Sequence, residues 1–204
     1  MREPKIRAAS AVSRRTLIAG GSATALVGAL SGHGLAAALT CETHRADHRR
    51  QGGVDRRLSL VFRRNAHGFH RAAVDYQAGF PANTLYFLAI AIELSLKAYL
   101  LHRGVSDDWS RVHIGHDLVK ALACAQRAGL RRAPGDLPDL ASRLTPYYER
   151  HAIGRGAPDI MPSRQLPHAC ETVRSLLHGV AAQIDHEAVS DPWAAPQRLE
   201  SAHA

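Results

Sequence analysis

Glu93 and Lys97 stand four residues apart inside LYFLAIAIELSLKAYLL, residues 85–101, a stretch with no other charge. An acid one turn ahead of a base is the favourable order for a helical pair. A single charge buried there would cost several kcal/mol, so pairing is close to obligatory. Two readings follow. The pair is a structural ion pair that orients its helix, or it lines a cleft or a dimer interface. A second chemistry is offered by arginine with histidine. An imidazole can move a proton near neutral pH, and a guanidinium can hold a phosphate and its developing charge. Arg164 and His168 have three residues between them, and Arg111 and His116 have four. Arg63 and Arg64 precede His70 at similar spacing. Metal-like spacings occur at Cys41, His44 and His48, at His67 and His70, and at His113 and His116. With 13 histidines in the chain such pairs arise by accident, and none makes a convincing metal or cofactor site.

These groups need elements to hold them. Phe62, Ala66, Phe69, Ala73 and Tyr76 form one apolar stripe, which predicts a helix over 58–77 ended by Gly79 and Pro81. The Glu93 segment predicts a helix over 83–102, closed by Gly104. It is apolar nearly all round and belongs at the centre of a bundle. Residues 106–117, SDDWSRVHIGHD, read as a polar connector. Further helices are expected over 117–128, 137–151 with a kink at Pro146, and 167–186. The last carries Leu166, Cys170, Val173, Leu177, Val180 and Ile184 on one face. No run alternates with period two, so the fold class is all-α, a bundle of about five helices.

Composition agrees. The chain has 204 residues and is 46% apolar but only 5% aromatic, which favours helices over sheets. The net charge of +8 suggests nucleic acid, yet most of the excess lies before residue 58, so RNA binding has to be argued from local sites. Three cysteines without a CxxC pair give no disulfide framework. Cys124 and Cys170 fall on apolar stripes and read as buried thiols.

The first forty residues differ from the rest. Ser13, Arg14, Arg15 and Leu17 open a run with no charged residue until Glu42, ending in small residues near Ala38. This looks like a twin-arginine export signal. Glycines dilute it too far for a membrane span, and Thr40 before Cys41 does not suit a lipid anchor. The competing reading is a true start further downstream, with a cytoplasmic product. The expected organisation is a leader or extension over 1–40, a disordered linker over 41–57, the bundle over 58–188 and a loose tail over 189–204.

The central helix with Ala91, Glu93, Leu94, Leu96, Lys97 and Ala98, then Gly115, His116, Asp117 and Leu118 opening the next helix, resembles the HEPN superfamily of small helical bundles. The resemblance covers about residues 58–188. It implies RNA-linked work. Members include metal-independent ribonucleases of toxin and phage-defence type, non-catalytic partners of nucleotidyltransferases, and binding modules. It also implies homodimers with the cleft at the interface, and no cofactor. The family's catalytic signature, Arg then four to six residues then His at the start of the last long helix, is met by position at Arg164 and His168 but is one residue short. Arg111 and His116 have a fitting spacing in the connector and are the alternative pair. His116 and Asp117 are also expected to hold the start of their helix. The remaining alternatives are a non-catalytic interaction module or dimer partner, and an exported helical protein that binds metal.

Overall fold

The computed structural model describes residues 40, 41, 43–45, 55–153 and 160–189. Its regular elements are all helical, and among the described residues there is no strand. Helix α1 is Arg56–Tyr76, α2 Pro81–His102, α3 Asp107–His113, α4 Leu118–Arg127, α5 Leu137–Tyr148 and α6 Leu166–Val189, the last preceded by a 3-10 turn at Ser163–Gln165. The expected all-α bundle is what forms.

Helix α2 is the hub, packed against α1, α4, α5 and α6. Leu88, Ile92, Leu96, Tyr99 and Leu100 are completely buried along one side, and Ala91 and Ala98 on another. By length and composition α2 could cross a membrane, but 78% of its most apolar window is buried in the bundle. Pro81 fits its first turn because that position needs no N–H partner; α2 therefore starts two residues before the expected Asn83. Helix α1 meets α2 through Ser59, Ala66 and Ala73, small residues spaced seven apart and all buried. The expected stripe is thus split: its alanines are inside, Phe62 and Phe69 are half-buried, and Tyr76 is exposed. The Ser59 hydroxyl donates to the Ala98 carbonyl at 2.8 Å and ties the two helices.

The expected polar connector is in fact helix α3. Its cause is local. Ser106 Oγ accepts from the Trp109 N–H at 3.2 Å, and Asp107 and Asp108 sit in the first turn, where the helix end favours negative charge. Gly115 stops α3 with φ +61°, a left-handed conformation that a side chain would strain. Asp117 then caps α4 from just outside it, accepting from the Lys120 N–H at 2.9 Å. The Gly-His-Asp-Leu sequence is therefore a stop, a bridge, a cap and a buried first residue, Leu118.

Pro146 lies within α5, which ends at Tyr148 rather than near His151. His151 takes φ +50° just past that end. The whole expected stripe of α6 is buried. Gly179, inside α6, allows the Arg132 carbonyl to press against it; a Cβ there would come within 2.2 Å of that oxygen. The bundle also begins earlier than expected. Residues 40, 41 and 43–45 are helical, and Cys41 is buried in the core, so the linker does not start at residue 41. The packing that holds this turn comes from α3 and α4, which no local pattern near Cys41 announces.

Candidate functional site

Three parts of the bundle converge on the Glu93 carboxylate. Lys97 Nζ, one turn on in α2, donates to Oε1 at 2.6 Å. Tyr148 Oη, at the end of α5, donates to Oε2 at 2.5 Å. His116 Nδ1, in the bridge between α3 and α4, lies 3.0 Å from the same oxygen. The side chains of Glu93 and Lys97 are 9% and 7% exposed, whereas His116 is 47% exposed. The network runs from the core to the surface.

Burial alone would raise the Glu93 pKa. The charge of Lys97 and the hydrogen bonds from Lys97, Tyr148 and His116 outweigh it and hold the carboxyl below its ordinary range. Burial, with the Glu93 charge beside it, pushes the Tyr148 phenol well up, so it stays a proton donor. An ionised carboxylate only accepts, which makes His116 Nδ1 the donor. In the neutral ring the lone pair is then on Nε2, which has no hydrogen-bond partner among the described residues. The rings of Tyr148 and His151 meet His116 edge-on, with centroids 5.2 and 5.4 Å away. The left-handed backbone at His151 closes the end of α5, where the Ala152 N–H donates to the Tyr147 carbonyl at 2.8 Å.

Glu93, Lys97, Gly115 and His116 open onto a cleft of about 370 Å³, walled by Phe62 of α1 and by Asp107 and Arg111 of α3. Among the described residues Arg111 makes only a long 3.4 Å contact to Asp108, and the two side chains are 71% and 93% exposed. Such a pair is weak and screened, so the guanidinium can turn to another anion. The sequence pairs Glu93 with Lys97 and Arg111 with His116 separately; the structure brings all four to one cleft.

Arg164 and His168 do not line it. Arg164 is exposed in the 3-10 turn. His168 Nε2 lies 3.0 Å from Asp136 Oδ2, with both side chains 69% exposed. His168 and Asp136 border a separate depression of about 250 Å³ that includes Leu140 and Met161. Arg63 pairs with Asp185 at 2.9 Å, and the His70 ring hydrogen-bonds the Cys170 carbonyl. Among the described residues no group of three or more His, Cys, Asp or Glu side chains could hold a metal ion. Ser13, Arg14, Arg15, Leu17 and His48 lie outside the described residues.

Tyr148 has no counterpart in the motif reading. A buried carboxylate has more acceptor sites than one lysine fills, so a further donor was required, but nothing local names a tyrosine 55 residues away. The chain matches no family model, no curated protein and no solved structure, so its likeness to a family rests on the quoted residues alone.

Proposed function

We propose that the cleft at Glu93 and His116 is an RNA site with metal-independent phosphodiester chemistry. The supporting observation is the orientation of His116: an ionised, buried carboxylate fixes Nδ1 and leaves Nε2 as the basic nitrogen of a half-exposed ring. In this reading Nε2 takes the proton of an RNA 2′-hydroxyl as that oxygen attacks phosphorus; the P–O5′ bond breaks, and the leaving 5′-oxygen takes a proton from water and departs as a hydroxyl. Arg111 holds the phosphate and stabilises its added negative charge. Glu93 positions His116 and stabilises the imidazolium that forms, while Lys97 keeps Glu93 ionised. The test is a short single-stranded RNA incubated with purified protein and chelator. Cleavage to a 2′,3′-cyclic phosphate is expected, with a DNA analogue left intact. His116→Ala should slow it by roughly 10²- to 10⁴-fold. RNA that stays intact with wild-type protein sinks the catalytic reading.

A second reading, a non-catalytic interaction module or dimer partner, is favoured by a different observation. Val61 of α1 and Val112 of α3 are 46% and 78% exposed, and they adjoin Phe62 and Arg111 of the cleft in sequence. A second copy of the chain on that face would cover them, and sedimentation would give a dimer that Val112→Asp weakens. Compartment is a separate question. Burial of Cys41 favours a mature chain that keeps residue 41, as cleavage near Ala38 would. The intact mass and compartment of the native protein test this; a cytoplasmic product starting near Val54 would reverse it.

A further inference from the structure

Two of the three cysteines meet in the core. Cys41, in the N-terminal turn, and Cys124, on the buried face of α4, are 1% and 0% exposed, and their thiols hydrogen-bond each other. Their elements are also fixed around them. Arg45 Nη1 donates to the Ala128 carbonyl at the end of α4 at 3.0 Å. His44 Nε2 accepts from the Ser106 N–H at 3.3 Å and lies 3.1 Å from its Oγ. The His44 ring stacks on Trp109, with centroids 5.3 Å apart and planes 17° from parallel. The turn is therefore held on α3 and on α4, by the residues three and four positions after Cys41.

We propose that Cys41 and Cys124 form a disulfide when the protein meets a small-molecule disulfide oxidant, stapling the N-terminal turn to α4. One cysteine thiolate attacks the oxidant and displaces one thiolate from it, leaving a mixed disulfide. The other cysteine thiolate then attacks the protein sulfur and displaces the second. Two thiol protons and two electrons leave the protein, one S–S bond forms in it, and the oxidant becomes two thiols. The hydrogen bond to Cys41 and burial both keep the Cys124 thiol protonated. The exchange is accordingly slow in the closed fold and proceeds through local opening of the turn or during folding. Cys170, on α6, is buried apart from that pair and stays a free thiol. The staple does not depend on the RNA reading, but it reaches the same cleft, because the turn braces the start of α3 and α3 carries Arg111.

The test uses full-length reduced protein held with oxidised glutathione, then denatured in alkylating agent. The expected product accepts one alkyl group, at Cys170, and yields a non-reduced peptide joining residues 41 and 124. Before alkylation the oxidised protein should be lighter than the reduced protein by about two hydrogen masses. Its denaturation midpoint should rise and return on reduction. Cys170→Ala should keep the linked peptide, and Cys41→Ser should lose it together with the redox-dependent shift. Three alkylated cysteines, a bond to Cys170, or a glutathione adduct alone would overturn the proposal, and each is read on the wild-type chain without relying on a variant that folds.

Discussion

The bundle contains two histidine–carboxylate pairs with the same 3.0 Å separation, His116 with Glu93 and His168 with Asp136. They differ in everything around that distance. Glu93 is sealed into the core with a lysine and a tyrosine on its oxygens, so its charge and orientation are fixed. Asp136 and His168 are equally exposed, and water competes for both. A short contact in high dielectric contributes little, while the same contact at the rim of a low-dielectric network sets a tautomer. The chain position that ranks Arg164 and His168 first, at the start of the last long helix, says nothing of burial.

The contrast can be broken most directly at Glu93. Glu93→Ala strands Lys97 and the Tyr148 hydroxyl, and should cost about 3–5 kcal/mol in denaturant unfolding. Acid should act on the same carboxyl. Its folded pKa is depressed, so its contribution is present above the unfolded value of about 4.3 and is lost as pH falls through the lower folded value. Stability measured from neutral pH downward should drop over that window, and Glu93→Gln should flatten the drop. Tyr148→Phe removes one donor from the carboxylate and should cost about 1–2 kcal/mol. Asp136→Ala and His168→Ala should each stay within about 0.5 kcal/mol, as exposed pairs do. They should also leave RNA cleavage unchanged where His116→Ala slows it by roughly 10²- to 10⁴-fold. If Asp136→Ala proved costlier than Tyr148→Phe, burial would not be what separates the two pairs.

What could be read from the sequence follows the range of each signal. The α2 charge pair, the α6 stripe and the Asp117 start of α4 are local, within a turn or two, and the structure keeps them. Helix α3 was also encoded locally, by Ser106, Asp107 and Asp108, but its seven residues hide behind a polar composition. Tyr148 and the Cys41 turn were not legible. Their partners lie across the fold, and no pattern near either residue names them. The candidate site was half visible: its residues stand out one pair at a time, and only the packing of α3 over α2 joins them.

The N-terminal turn has a consequence for the order of assembly. Its anchors, Ser106 and Ala128, stand 62 and 83 residues after His44 and Arg45. During synthesis the turn emerges first and waits while most of the bundle is made, because its docking surface does not yet exist. Closing loops of that length comes after the local α1–α2 hairpin has formed. The first part of the bundle to leave the ribosome is among the last to be seated, and for that interval the Cys41 thiol faces solvent.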